Sequence, residues 1–391
     1  MVHRVTSLRK PIYWVVPLTL TCLLATFLGL PAADAQKPVP MKPEQGYQVH
    51  IPVLARDSPL FRVSLPLCFV GASAVPLQQP TGFVTRFGEG LQLNGQPYTF
   101  VGANASYLAG PFFPEEKMPE VISHLAEAGV QVIRVWVEPW CDLGRVERML
   151  DLGREHNIRF ILTLQDFFGH EDGFWFQGRY ETVDLPHIRN IVPRFANRPE
   201  VLMWELMNEP TCPAKDAGQN CWDALYHWAQ VTSQEVKRLD PNHLVSIGTQ
   251  RAGFSNQAID AFRRMHALAT IDIVSIHCEA GKLQQGEFKQ ELAIAHELGK
   301  PVYFGEVTMR GQNERCQPLP DNALQRRAQA IATDIQQSLE AGVDGYLLWQ
   351  YAYGGVDMGS HVEYFCGVFD YSADDPVWEV IKETTKPRPS P

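Results

Sequence analysis

The sequence lacks the patterns that mark common cofactor and metal sites. No glycine-rich phosphate loop opens a predicted helix, no CxxC pair occurs among the eight cysteines, and no metal-ligand cluster is present. It also lacks a surplus of basic residues, because 34 lysines and arginines face 44 acids for a net charge of −10. We therefore expect no cofactor, no metal and no nucleic-acid partner, since an acidic surface repels phosphate backbones.

The first 35 residues differ in composition from the rest of the chain. A basic head that includes Arg9 and Lys10 precedes the apolar stretch 13–30, and Ala33-Asp34-Ala35 fits the small-x-small pattern of signal cleavage. We predict a signal peptide over residues 1–35 and a secreted or periplasmic protein. The alternative is an uncleaved membrane anchor, because the apolar stretch is close to the length that spans a bilayer.

A proline-rich leader follows, with eight prolines in residues 36–82 and no clear hydrophobic period. We predict that this leader is extended or partly disordered and that residues 83–391 form the folded domain.

Export would place the cysteines in an oxidising compartment. Cys212 and Cys221 flank one loop and are the strongest disulfide candidates, and Cys316 with Cys366 is a second candidate pair. Three cysteines remain unassigned: Cys68, Cys141 and Cys278.

From residue 83 onward, strand and helix patterns alternate after a short β-ribbon with a tight turn at Asn94-Gly95. The predicted strands are 98–103, 131–136, 159–164, 201–206, 243–248, 272–277, 301–306 and 345–349. The predicted helices are 115–128, 145–156, 185–195, 222–239, 257–268, 289–298, 323–341 and 376–383. Eight of each in about 300 residues predict a (β/α)₈ barrel. An open doubly wound sheet is the alternative, which the missing phosphate loop disfavours.

Two of the predicted strands end in glutamate. Asn208-Glu209-Pro210 terminates the apolar run 201–206, and Glu306 ends the strand that begins at Pro301. The C-terminal ends of barrel strands carry the chemistry in this fold. A pair of carboxyl groups there is what cleavage of a glycosidic bond requires, one as proton donor and one as nucleophile.

With these residues, the chain resembles family 5 glycoside hydrolases, and within them the endo-β-1,4-mannanases. The resemblance covers roughly residues 83–383. It rests on four segments: 93–104, Gly129–Trp136, Trp204–Cys212 and Gly345–Gln350. The Asn-Glu-Pro motif is shared by many related hydrolases, so it specifies the clan better than the substrate.

The resemblance implies a retaining double displacement with Glu209 as general acid/base and Glu306 as nucleophile. It also implies that Arg134 donates to Glu306 and that Asn208 binds the sugar 2-hydroxyl. The remaining expected substrate-binding residues are His277 near the nucleophile, Trp349 under the reacting sugar, and the sugar-stacking Trp136 and Trp175.

Two positions depart from the family pattern. Glu279 stands where the family has a tyrosine that bonds the nucleophile, so a third carboxylate could raise the pKa of Glu306. Tyr303, Tyr351 or Tyr353 would then have to supply the hydroxyl. The third strand ends in Gln165-Asp166 instead of an Asn-Trp pair or a histidine.

These observations predict a secreted, monomeric retaining glycosidase that acts on β-1,4-mannan polysaccharide or oligosaccharide, with no protein partner implied. The alternatives are the same chemistry on another β-glycan, an exo-acting enzyme on short oligosaccharides, and a catalytically silent sugar-binding barrel.

Overall fold

The computed structural model describes residues 82–167, 176, 178–212, 219–250, 255–282, 286–310, 320–353 and 370–385, all within one compact unit over residues 78–391. The predicted signal peptide and almost all of the leader lie outside the described residues. Three singled-out side chains also lie outside them: Trp175, Cys316 and Cys366.

Eight parallel strands form the centre of the fold, as the alternating sequence pattern predicts. They are β4 (Phe100–Asn104), β5 (Val132–Trp136), β6 (Arg159–Thr163), β7 (Val201–Glu205), β8 (Leu244–Ser246), β9 (Val274–Glu279), β10 (Val302–Thr308) and β11 (Gly345–Leu348). Their order in the sheet is β8-β7-β6-β5-β4-β11-β10-β9. Between the first and last of these, backbone N–H groups of Asp272 and His277 donate to Val245 and Gln250, so the sheet curls into a nearly closed barrel.

Within the residues that the structure describes, eight α-helices surround the strands. They are α1 (Met118–Glu127), α2 (Leu143–His156), α3 (Asp184–Phe195), α4 (Gln219–Leu239), α5 (Asn256–His266), α6 (Gly286–Glu297), α7 (Asp321–Glu340) and α8 (Val377–Thr385). Two short parallel strands, β12 (Tyr351–Ala352) and β13 (Tyr371–Ser372), precede α8. Each predicted helix is present with its ends within three residues of the predicted bounds, and the (β/α)₈ prediction is confirmed.

Side chains along the strands alternate between two environments. Ile133, Leu162 and Trp204 belong to the large apolar layer between strands and helices. Val132 and Ile161 belong instead to a smaller cluster inside the barrel. Towards the C-terminal ends of the strands, this interior changes from apolar to charged.

The predicted β-ribbon is a three-stranded antiparallel sheet of β1 (Val84–Phe87), β2 (Gly90–Leu93) and β3 (Gln96–Tyr98). Val84 and Leu91 pack in the same cluster as the apolar residues inside the barrel. The ribbon therefore covers the N-terminal end of the barrel, opposite to the strand ends near which Glu209 and Glu306 lie.

The predicted disulfide between Cys212 and Cys221 is present and joins the loop after β7 to α4. Cys141 and Cys278 are free and buried. Within the described ranges, no helix is both long and apolar enough to cross a membrane.

Gly345, at the start of β11, is required by close packing inside the barrel. A Cβ at this position would lie 2.0 Å from Cζ of Phe100. We expect Gly345→Ala to lower the free energy of unfolding by about 2–3 kcal/mol, because a ring must leave its packed position. The measurement is urea unfolding followed by circular dichroism. Gly90→Ala is the control, since its Cβ would meet its nearest atom at an ordinary 3.4 Å; equal losses in both variants would contradict the packing argument.

Candidate active site

Glu209 and Glu306 meet at the C-terminal mouth of the barrel. One carboxylate oxygen of each and a ring nitrogen of His277 lie within 4.8 Å of one another, and all three residues are buried. Carboxylate and imidazole are also the ligands that divalent metals prefer. A guanidinium bonded to Glu306, described below, places a positive charge beside this group, which disfavours metal binding.

The backbone at Glu209 is held in an unusual conformation. Its φ of +49° lies in the left-handed region, which a glutamate rarely adopts. Its N–H donates to the carbonyl of Gly248 at 2.8 Å. Gly248 itself has a φ of +89°, and a Cβ there would lie 2.0 Å from the carbonyl oxygen of Met207. The close approach of these two chain segments therefore positions the Glu209 carboxylate.

Arg134, on β5, is fully buried and bonds four acceptors in the barrel. Its guanidinium donates to Glu205 at 2.8 Å, Asn104 at 3.0 Å, Asn208 at 2.8 Å and Glu306 at 2.7 Å. Asn104, Glu205 and Glu306 belong to three other strands, and Asn208 follows one of them. A buried cation is tolerated only when paired and hydrogen-bonded in this way.

Glu205 is a third buried carboxylate, directly beneath the pair. Besides the guanidinium of Arg134, it accepts hydrogen bonds from Thr163 at 2.8 Å and from Tyr303. Ser246 contacts the same tyrosine hydroxyl at 3.0 Å. The sequence patterns alone do not predict this network. One feature of the sequence could have indicated it. Glu205 is a charged residue within the apolar run 201–206, at a position that faces the barrel interior.

His277 lies between the two glutamates. Its Nδ1 is 2.8 Å from Glu209 Oε1 and 3.5 Å from Glu306 Oε2. Burial lowers the pKa of His277 to about 4, so the imidazole is neutral near neutral pH and its Nδ1–H donates to Glu209. Gly305 makes room for the ring, since a Cβ there would lie 2.8 Å from Nε2.

The electrostatics of Glu306 combine opposing effects. Burial raises the pKa of its carboxyl group to about 7, a positive charge on His277 would lower it, the Glu209 carboxylate raises it, and Arg134 lowers it. Because His277 is neutral near pH 7, the guanidinium of Arg134 is the positive charge that favours the ionised form there. Two acids this close hold one proton between them more readily than two negative charges.

The structure also places the residues that depart from the family pattern. Glu279 ends β9 as an exposed side chain. Of the three tyrosines considered as substitutes for the family tyrosine, Tyr303 donates to Glu205 and Tyr353 donates to Glu120. The ring of Tyr351 packs in the apolar layer outside the barrel. The described contacts therefore assign the nucleophile candidate no tyrosine partner.

The expected aromatic residues are divided between the mouth and the core. The Trp136 ring lies against the Arg134 guanidinium at 4.4 Å, and its centroid is 5.6 Å from that of the half-buried Trp349. Phe167 and Phe176, which the sequence places in an aromatic loop, stack on each other and are buried. These two phenylalanines pack in the core and are not available to a sugar.

Comparison with known proteins identifies similar sequences and folds. A family model described as "GH family 5 beta-mannosidase-like" matches residues 183–282. The chain is 24% identical over 339 residues to a probable mannan endo-1,4-beta-mannosidase A of Aspergillus oryzae, covering 72% of this chain and 83% of the relative. It is 26% identical over 375 residues to mannan endo-1,4-beta-mannosidase 2 of Oryza sativa, covering 76% and 83%.

Solved structures give the same fold. The endo-1,4-beta-mannanase of Rhizomucor miehei aligns with a TM-score of 0.59 at 20% identity, over 78% of this chain and 98% of that one. An endoglucanase of Thermobifida fusca aligns with a TM-score of 0.53 at 16% identity, over 78% and 98%. At these identities the likeness concerns the barrel alone. In the matched family model and in the sequence relatives, the chain is similar to glycoside hydrolases of family 5, and among them to the mannanases.

Proposed function

We propose that this protein is a secreted retaining glycosidase that cleaves β-1,4-mannan. The observation that carries the proposal is the pair of buried carboxylates, whose oxygens lie within 4.8 Å at the barrel mouth. Retaining glycosidases have carboxyl groups about 5–5.5 Å apart, whereas inverting enzymes need a wider gap for a water molecule. The names of the sequence relatives support mannan as the substrate.

The proposed reaction has two steps. Glu306 attacks the anomeric carbon and forms a glycosyl ester, while the bond to the leaving oxygen breaks and Glu209 gives that oxygen its proton. In the second step, Glu209 takes a proton from water, the hydroxide oxygen attacks the anomeric carbon, and the ester bond to Glu306 breaks. Both glutamates return to their starting protonation states, so the cycle needs no cofactor.

The surrounding residues have distinct proposed roles. Arg134 keeps Glu306 ionised and aimed, because it donates at 2.7 Å to one oxygen of this carboxylate. Asn208 accepts from Arg134 through its side-chain oxygen, which turns its amide nitrogen towards the sugar 2-hydroxyl. His277 holds Glu209 in place through Nδ1. Trp349 and Trp136 would stack against the apolar faces of the sugar rings.

Export of the protein is part of this proposal. The basic and apolar pattern of residues 1–35 is typical of a signal peptide. The Cys212–Cys221 disulfide suits an oxidising compartment. We expect the exported enzyme to act as a monomer.

The substrate is tested by incubating the purified protein, lacking residues 1–35, with β-mannan, glucomannan and carboxymethyl cellulose while new reducing ends are counted. We expect release from β-mannan and glucomannan, and little or none from the cellulose. Release from the cellulose alone would be consistent with the proposed mechanism but would contradict mannan as the substrate. Absence of release from all three would favour an exo-acting enzyme on oligosaccharides or a silent barrel, which mannotriose and cellotriose would distinguish.

Substitution of each carboxylate separates the two roles. Glu306→Gln should abolish hydrolysis of every substrate, because no ester can form. Glu209→Gln should lower kcat/KM on mannan by about 100- to 10,000-fold, yet lower the first step much less for an aryl glycoside whose leaving group needs no proton. Stopped-flow release of the aryl group measures this difference. Equal losses on both substrates would contradict the acid role of Glu209.

The raised pKa of Glu306 predicts a pH-dependent gain in stability on its replacement. Its folded-state pKa of about 7 lies above the ordinary 4.5, so ionisation costs the folded state stability as the pH rises through this window. Glu306→Gln removes that cost. The free energy of unfolding of this variant should exceed that of the wild-type protein by an amount that grows from pH 4.5 to 7. The difference should reach about 3 kcal/mol, since each pKa unit corresponds to roughly 1.4 kcal/mol. Urea unfolding at pH 5 and pH 8 measures it, and an advantage that is the same at both pH values would contradict the assignment.

A further inference from the structure

Asp166, which departs from the family pattern, lies beside the candidate site. It follows the end of β6 and forms a parallel bridge with Asn208, the residue before the proposed acid. Next to this bridge, the backbone N–H of Asn208 donates to the carbonyl of Gln165 at 2.7 Å, and the N–H of Phe167 donates to the carbonyl of Asn208 at 3.1 Å. These bonds hold the two segments in a fixed register at the barrel mouth.

The side chains of the bridged residues are bonded as well. The carboxamide nitrogen of Asn208 donates to Oδ1 of Asp166 at 3.1 Å, while the carboxamide oxygen accepts from Arg134 at 2.8 Å. A guanidinium can only donate hydrogen bonds, and a carboxylate can only accept them. A half-turn of the carboxamide would therefore set donor against donor on one side and oxygen against oxygen on the other. Arg134 and Asp166 together permit one orientation of Asn208.

Glu138 supports Asp166 from the loop after β5. Its buried carboxyl group accepts a hydrogen bond from the backbone N–H of Asp166. Burial raises the pKa of Glu138 to about 8, the negative charge of Asp166 raises it further, and the hydrogen bond lowers it. Glu138 is therefore protonated near neutral pH, so it adds no second negative charge beside Asp166.

We propose that Asp166 is a positioning residue that holds the Asn208 carboxamide in the orientation needed to bind the sugar 2-hydroxyl. The carboxamide nitrogen carries two hydrogens, so one can bond Asp166 while the other bonds the sugar. The bond to the 2-hydroxyl strengthens in the transition state, and its direction therefore matters most when the anomeric carbon reacts. Asp166 acts through Asn208 and not by contact with the sugar. This role rests on the proposed glycosidase function and concerns a residue that the family pattern does not supply.

The first test is Asp166→Leu, which keeps the approximate shape of the side chain and removes both oxygens. We expect kcat on β-mannan to fall by about 10- to 100-fold, as for loss of a hydrogen bond to a charged group, with KM changed by less than about threefold. Asp166→Asn should restore most of the lost kcat, because its carboxamide oxygen can still accept from Asn208. Circular dichroism checks the fold, and Asp166→Ala takes the place of Asp166→Leu if the latter does not fold. An unchanged kcat would overturn the positioning role.

A double-mutant cycle with Asn208→Ala separates positioning from general damage to the fold. If Asp166 acts through Asn208, then Asp166→Leu should lower kcat by less than about twofold in a protein that already carries Asn208→Ala. Independent damage would instead multiply the losses of the two single variants. That result would overturn the proposal.

Asp184→Leu is the matched control. The carboxylate of Asp184, on α3, is also buried and accepts from a side-chain N–H, that of Trp228 on α4, at 2.8 Å. This substitution should lower the midpoint of thermal unfolding and leave kcat unchanged, because it removes a bond in the helix layer away from the barrel mouth.

NMR spectra of the protein without sugar separate the positioning role from the glycosidase function. In protein labelled on asparagine, the side-chain amide signal that is missing from Asn208→Ala belongs to Asn208. We expect this signal to move in Asp166→Leu and its hydrogens to exchange with water at least about tenfold faster, since one of them has lost its acceptor. An unchanged signal and exchange rate would overturn the positioning role even in an active enzyme. The expected changes in a protein that cleaves no β-glycan would support the orientation of Asn208 by Asp166 and overturn the glycosidase function.

Discussion

The buried guanidinium of Arg134 is the interaction on which the candidate site depends. A cation inside a barrel must be surrounded by acceptors, and this one takes them from Asn104, Glu205, Asn208 and Glu306. These bonds connect four strands at the level where the barrel interior turns from apolar to charged. Because the acceptors that neutralise Arg134 lie on different strands, its hydrogen bonds also set the relative positions of the strand ends that carry the proposed chemistry.

Charge is distributed unevenly around that guanidinium. Glu205, bonded by Thr163 and Tyr303 as well, is fully occupied by protein donors. Glu306 receives one bond from Arg134 and faces Glu209 and a neutral imidazole. Burial is therefore the largest effect on the Glu306 carboxyl group and raises its pKa to about 7. One carboxylate stabilises the fold, and the other is the nucleophile of the proposed reaction.

Much of the fold was predictable because its periodic patterns are local. The strand and helix patterns located all sixteen barrel elements, and errors lay at their ends. β8 stops at Ser246 instead of residue 248, because Gly248 adopts a φ of +89° to meet the backbone of Glu209. The (β/α)₈ class and both carboxylates followed from the sequence. The burial of Phe167 and Phe176 was not predictable from the sequence, since exposure of a ring depends on distant partners such as Trp228.

The sequence by itself determined which elements form and which two glutamates lie near the C-terminal ends of strands, since periodicity and strand-terminating residues act over short distances. In the structure β7 ends before Glu209, and β10 continues two residues past Glu306. Only the tertiary structure decided which charges meet. The partnership of Arg134 with Glu205 spans 71 residues and that with Glu306 spans 172. Burial, proximity and hydrogen-bond satisfaction are properties of chain segments brought together by folding, and these properties set the pKa values at the barrel mouth.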